Sequence, residues 1–238
     1  AALHEEKEDR RRSDGGVGKP TPLYLPSGVT FVYTCTVFPF WYCAGRGFVR
    51  LGGIVRLCVR LPLLVCWTLA MFAIRMAVRP MKWLSPVREI RMRSFLFRLW
   101  GRGAIRLMGG RLFASGNLPR PPFFLVTNHL SYIDIIASAA LLGSTFVAKA
   151  EIANWPLIGF FARNLQSVFI NRNDLRDIIR VKNEVGNILR AGYGLHIFAE
   201  GGISQNLQVK PFKPALLDAA VRNHLPVHYA AINYKTGE

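Results

Sequence analysis

Apolar and polar residues come in blocks along the chain, and the blocks change character near residue 109. Phe123 to Val126 is a short apolar run led in by Pro121 and Pro122, which predicts a buried strand. At Thr127 the polarity switches. Asn128, His129, Ser131 and Asp134 arrive in quick succession, and Ile135 to Leu142 then predicts a helix. Strand, polar turn and helix is the arrangement in which open α/β sheets place ligand sites. The alternation recurs. Strands are predicted over 109–116, 145–148, 168–172 and 195–198, with a last hydrophobic strand over 225–232. Leu175, Ile178, Ile179, Val185, Ile188 and Leu189 recur at helical spacing, and the Arg and Lys residues between them form a solvated face. Strands alternating with helices imply an α/β fold, and no internal repeat is present.

Ahead of residue 109 the pattern is different. Residues 1–26 are polar, mixed in charge and rich in Gly and Pro, a composition expected to be disordered. Val29 to Ala44 is apolar and aromatic. Leu61 to Ile74 is an uncharged run bounded by Arg60 and Arg75. As a helix its fourteen residues reach about 21 Å, short of the roughly 30 Å hydrocarbon core. Arginine snorkelling extends it to 57–78. A transmembrane span, a re-entrant or interfacial helix, and a buried core helix all fit this run, and Pro62 is compatible with each. Arg88 to Met108 has the pattern of a basic amphipathic helix, with Gly101 and Gly103 as expected break points. The apolar tracts begin too late, and lack the short basic lead, for a secretory signal peptide. Ala1 at the start, and an apolar stretch just ahead of Glu238, are what a fragment would show.

Charge sharpens this division. The chain carries 31 Lys and Arg against 14 Asp and Glu, a net charge of +17. Between Gly45 and Arg111 the basic residues are interleaved with Leu, Ile, Phe and Trp, and Glu89 is the single acidic one. Such a balance calls for an anionic partner. No zinc finger and no aromatic RNA-binding signature is present, so the expected partner is an anionic lipid surface and not nucleic acid. Each basic residue near an anionic leaflet contributes about 1 kcal/mol. Cys35, Cys43, Cys58 and Cys66 all lie in apolar tracts, without a zinc-type spacing. They are expected to be small buried hydrophobes without disulfides. No metal site is legible.

Candidate chemistry centres on His129 and Asp134. A five-residue separation aligns poorly on one regular helix. With His129 in the turn and Asp134 in the first helical turn, the carboxylate folds back to the imidazole, fixes its tautomer and leaves the other nitrogen free to accept a proton. Ser131-x-x-Asp134 equally resembles a helix capping box with Asp in place of Glu. The residues alone leave both readings open.

Asn128-His129-x-x-x-x-Asp134 resembles the Asn-His-x4-Asp signature of the glycerolipid acyltransferases, the 1-acylglycerol-3-phosphate acyltransferase family. Further blocks follow in that family's order. Lys149-Ala150-Glu151 with Pro156 to Gly159 is similar to its Lys-x-Glu…Pro-x-x-Gly segment. Phe169-Ile170-Asn171-Arg172 is similar to its Phe-Ile-x-Arg block. Phe198, Glu200, Gly201 and Ser204 match Phe-Pro-Glu-Gly-Thr-Arg-Ser, and Pro211-Phe212-Lys213 matches its Pro-Phe-Lys segment. Ala199, Gly202 and Ile203 depart from the pattern, and an isoleucine cannot replace the missing arginine as a charged donor to phosphate. Lys210 and Lys213, shortly downstream, are candidates to supply that charge. Tyr229 stands where a second Pro is usual, and His224 and His228 are expected to be ordinary helix-end and strand residues.

The resemblance implies a mixed central sheet flanked by helices over residues 109–238, preceded by membrane-associating segments at 27–108 and the disordered 1–26. Closing elements of the domain are expected beyond Glu238. It implies His129 and Asp134 as catalytic, and Asn128, Lys149, Arg172, Glu200, Gly201, Ser204, Lys210 and Lys213 as acceptor-binding. The implied reaction moves an acyl group from acyl-CoA or acyl-carrier protein to lysophosphatidate at a membrane, with the active site on the cytoplasmic side and no cofactor. Backbone N–H groups at the helix start after His129 are the expected oxyanion donors. The alternatives are another lyso-lipid acceptor, such as a lyso-ornithine lipid or a lysophospholipid, or a non-catalytic membrane-binding homologue.

Overall fold

The computed structural model describes residues 31–36, 51–156, 158–203, 211, 212, 217, 220 and 227–235. The expectations for residues 1–26, Cys43, Ser204, Lys210, Lys213 and His224 lie outside these residues. The elements are β1 (Phe31–Thr36), α1 (Leu51–Val78), the single turn α2 (Met81–Leu84), α3 (Pro86–Leu107), β2 (Arg111–Gly116), β3 (Phe123–Thr127), α4 (Ile133–Leu142), β4 (Thr145–Lys149), a 3-10 turn (Ala150–Asn154), α5 (Ile158–Asn164), β5 (Val168–Ile170), α6 (Leu175–Arg190), β6 (Gly194–Phe198) and β7 (Val227–Lys235).

The strands form one seven-stranded sheet in the order β2-β1-β7-β3-β6-β4-β5. All pairs run parallel except β1 with β2, so the sheet is mixed, as expected. β3 is central and buried along its whole length. Its alternation divides the core. Phe124 and Val126 point to the face covered by Val181, Val185 and Leu189 of α6. Phe123 and Leu125 point to the other face, against Ala137 and Leu142 of α4. α3 packs over α4 through Phe97 and Ala139, and α1 packs on α3.

Three expectations for the N-terminal part need correction. First, residue 109 does not bound the sheet: β1, from within 27–108, pairs with both β2 and β7. Second, Gly101 and Gly103 do not break α3. A Cβ at Gly101 would lie 2.5 Å from the Ala140 nitrogen, and one at Gly103 2.4 Å from Trp67, so both glycines permit close helix packing. The Ser85 cap, with Pro86 at the first position and Glu89 in the first turn, starts this helix. Third, Cys58 and Cys66 are exposed, because they lie on the outward side of α1.

α1 has 28 residues, with Pro62 inside it, and reaches about 42 Å. It is no buried core helix. Val59, Leu61, Leu63, Val65 and Leu69 are each about half exposed. Among the described residues, Arg56–Leu84 is long and apolar enough to cross a membrane by length and composition. The inward side is polar in places: Trp67 donates to the Trp100 carbonyl at 3.0 Å, and Trp100 donates to the Thr68 hydroxyl at 3.1 Å. Arg75 does not snorkel. It is buried and pairs with Glu89 of α3 at 2.6 Å.

Candidate functional site

The register aligns Leu125, His196 and Phe146 in one row across β3, β6 and β4. The carboxyl ends of these strands therefore share one edge of the sheet. That edge receives the polar turn after β3, the Glu200-Gly201 turn after β6, and Lys149 at the end of β4. Arg172 follows β5 at the same edge, since Lys149 is paired with Ile170.

His129 lies in the turn and Asp134 in the first turn of α4, both buried. His129 Nδ1 is 2.8 Å from Asp134 Oδ2. The same oxygen accepts from the backbone N–H of Leu130 at 2.6 Å and of Ser131 at 2.9 Å. The capping and dyad readings are thus one structure: a single carboxylate caps the helix start and holds the imidazole. The other oxygen, Oδ1, accepts from the Tyr234 hydroxyl of β7. With Nδ1–H directed at Asp134, Nε2 is the acceptor nitrogen. The imidazole stacks on Phe198 with centroids 4.1 Å apart.

Glu200 is buried and accepts from the His129 backbone N–H at 2.8 Å through Oε1. The turn after β6 thereby sets the path of the turn after β3. Gly201 has φ 78°, a conformation that favours glycine. Arg172 donates to the Gly201 carbonyl, tying the end of β5 to this turn. Burial pulls its guanidinium below the usual range, opposed by the nearby Glu151 carboxylate. Lys149 is exposed at the end of β4.

Two expectations are narrowed here. Asn128 is engaged within the protein. Its amide donates to the Ile232 carbonyl at 3.1 Å and accepts the Ile232 N–H at 2.7 Å, so it fastens the turn to β7. Three of the N–H groups around the start of α4 are engaged as well. Those of Leu130 and Ser131 go to Asp134, and that of Ile133 goes to the Ser131 hydroxyl at 3.2 Å.

Sequence reasoning missed Tyr234 and His196. Neither belongs to a legible motif, and both reach the site only through strand pairing. His196 is fully buried, with Nε2 2.8 Å from the Thr127 hydroxyl and no partner for Nδ1 among the described residues. Thr127 Oγ1 is also 3.0 Å from the Asn128 carbonyl. An Nε2–H donating to Thr127, which donates onward to that carbonyl, satisfies every donor and leaves Nδ1 as a bare lone pair. Burial, with His129 adding, pushes the His196 pKa down to about 3, so the ring is neutral.

Next to the site lies a cavity of about 610 Å³, lined almost entirely by apolar groups, including Met71, Phe72, Phe97, Ile136, Phe146 and Phe161. Phe146 links it to the dyad: its ring stacks with Phe198, which stacks with His129. Among the described residues no group of His, Cys, Asp and Glu is arranged to hold a metal.

The chain is 35% identical over 136 residues to a 1-acyl-sn-glycerol-3-phosphate acyltransferase of Neisseria gonorrhoeae, covering 56% of this chain and 53% of that one. It is 34% identical over 152 residues to a lyso-ornithine lipid O-acyltransferase of Brucella abortus, covering 63% and 57%. It thus spans little more than half the length of these curated relatives. A crystal structure of the 1-acyl-sn-glycerophosphate acyltransferase of Thermotoga maritima aligns with a TM-score of 0.45 at 20% identity, over 74% of this chain and 83% of that one. The Acyltransferase family model matches residues 112–233, from β2 through the turn of His129 and Asp134 into β7. That match takes in just over half of the 238 residues, and the chain belongs to the Acyltransferase family.

Proposed function

We propose that the protein transfers a fatty acyl group from a thioester donor, acyl-CoA or acyl-carrier protein, to the free hydroxyl of a lyso-lipid at a membrane. The observation that carries this reading is the buried His129–Asp134 pair at 2.8 Å, with Nε2 as the acceptor nitrogen at the sheet edge. His129 Nε2 takes the proton of the acceptor hydroxyl as its oxygen attacks the thioester carbon. The tetrahedral intermediate collapses, the C–S bond breaks, and the imidazolium returns the proton to the leaving thiolate. The products are an ester and a free thiol, with no acyl-enzyme. General base catalysis of this kind contributes about 10²–10⁴-fold. Asp134 holds the tautomer, and Tyr234 and Glu200 act as positioning residues, on Asp134 and on the His129 backbone.

The first acceptor to test is 1-acyl-sn-glycerol-3-phosphate. Lys149 and Arg172 stand at the site edge as phosphate contacts, one arm of Arg172 already engaged by Gly201. Ser204, Lys210 and Lys213 are proposed from motif position alone. A lyso-ornithine lipid is the second reading, favoured by Ile203 in place of a phosphate-binding arginine and by the Brucella relative of almost equal identity. The bilayer contact is the outward apolar side of α1, flanked by Arg88, Arg91, Arg102 and Arg106 on α3. The active site then faces the cytoplasm, where the thioester donors are.

The test is transfer of radiolabelled acyl-CoA by the membrane-bound protein to lysophosphatidate and to lyso-ornithine lipid, with acyl-carrier protein as a second donor. His129→Ala is expected to abolish transfer while the protein still sediments with membranes. Turnover retained by that variant would rule out the mechanism. No transfer by wild type to any acceptor would favour a non-catalytic homologue.

A further inference from the structure

The apolar cavity contains a charge that its own walls do not balance. Arg75 of α1 and Arg93 of α3 both line it, and each is less than a tenth exposed. Among the described residues one carboxylate faces them, Glu89, paired with Arg75 Nη2 at 2.6 Å. Arg93 is held by neutral groups. It donates to the Leu165 carbonyl at 3.3 Å, to the Gln166 side chain and to the Thr145 hydroxyl at 3.4 Å, and its guanidinium sits 4.0 Å from the Tyr193 ring centroid. Burial pulls the Arg93 pKa down to about 10, which leaves it charged at neutral pH. Two cations therefore meet one anion in an apolar enclosure. The deficit is visible in the hydrogen bonds too: Arg75 Nε and Nη1 are buried with no partner among the described residues. An unpaired buried donor costs about 1–3 kcal/mol, and more when it is charged.

We infer that the cavity is a binding site for a free long-chain fatty acid, its carboxylate against the Arg75–Arg93 cluster and its chain along the apolar wall. A carboxylate brings the missing negative charge and the acceptor oxygens that Arg75 lacks, and guanidinium groups suit its planar fork. A small inorganic anion would leave the apolar wall unfilled. The lining reaches the protein surface: Trp155 and Ile158 both line the cavity and are 43% and 53% exposed. Under the transfer reading the fatty acid and the acyl chain of the donor compete for this space. The fatty-acid site itself rests on the cluster and the cavity alone.

The experiment is binding of radiolabelled hexadecanoate to the full chain in phosphatidylcholine nanodiscs, against empty nanodiscs. Hexadecanoate and hexadecanol serve as unlabelled competitors. Saturable binding is expected, with the alcohol at least about tenfold weaker as a competitor, the scale of one lost charge-assisted hydrogen bond. Arg75→Met is expected to weaken hexadecanoate binding about tenfold or more, and Glu89→Gln to tighten it by removing the competing anion. Equal competition by acid and alcohol, or no saturable binding, overturns the inference. If Arg75→Met does not fold because Glu89 is left unpaired, the acid–alcohol comparison on wild type and the direction of the Glu89→Gln effect still decide. Acyl transfer measured on the same nanodiscs reports separately on the proposed reaction.

Discussion

Two buried polar regions of this protein lie on either side of the Phe146 ring, and they are built on opposite terms. At the sheet edge, Asp134 receives four donors: the His129 ring, the N–H groups of Leu130 and Ser131, and the Tyr234 hydroxyl. In the helical layer, the one carboxylate pairs with Arg75, Arg93 is held by neutral groups, and two Arg75 donors are left without partners among the described residues. In the first arrangement every one of these bonds is made within the protein, so the imidazole is already oriented, as the proposed transfer requires. The second is incomplete and gains most when something anionic enters. A fully satisfied polar cluster suits a group that must hold still; an under-satisfied one suits a group that must bind.

The sharpest way to break this contrast is Asp134→Asn. The side chain keeps its shape, but its amide cannot accept from the ring and both N–H groups as the carboxylate does. Transfer is expected to fall about 10²–10⁴-fold, measured as kcat with lysophosphatidate and the lyso-ornithine lipid. Retention of more than a tenth of wild-type kcat would mean that the carboxylate serves only as a helix cap.

His196 tests the completeness of the sheet-edge region from beneath. Its folded pKa of about 3 lies below the ordinary histidine value of 6.5, because the ring is buried neutral. The unfolded chain therefore binds the extra proton first. Stability is full above pH 6.5 and is lost as pH falls from 6.5 toward 3, by about 1.4 kcal/mol per pH unit. His196→Gln keeps a donor for Thr127 and cannot titrate, so its denaturant midpoint is expected to depend less on pH between 4 and 6.5. An unchanged pH dependence would assign acid sensitivity to other groups.

The smallest effect is expected from Tyr234→Phe. It removes one donor to Asp134 and nothing from the substrate, so kcat is expected to fall about tenfold with KM unchanged. A rise in KM, with kcat unchanged, would place Tyr234 in acceptor binding.

Much of this architecture was legible along the chain. The apolar run at Phe123–Val126, the polarity switch at Thr127 and the periodicity of α6 all reflect local rules of burial, and they appear as expected. The misreadings share one cause. Gly101 and Gly103 break helices by propensity, yet here Ala140 and Trp67 pack against them, and tertiary contact outweighs a cost of about 1 kcal/mol per glycine. Asn128 carries the motif's signature, but its amide is spent on Ile232, far away in sequence. β1 was assigned to the membrane segment because its composition is apolar, and pairing with β7 cannot be read from composition.

By itself, the sequence determined the strands from β2 to β7 and the helices α3, α4 and α6, that His129 and Asp134 stood close enough to pair, and that the N-terminal third would be basic and apolar. Those properties follow from neighbours within about one helical turn or one strand repeat. The tertiary structure alone decided that Tyr234 and Glu200 would converge on the dyad and that β1 would join the sheet. It also decided that Arg75, a boundary residue in the sequence, would turn inward to meet Glu89 and Arg93. These depend on strand order and helix packing, which bring together groups with no local relation to one another.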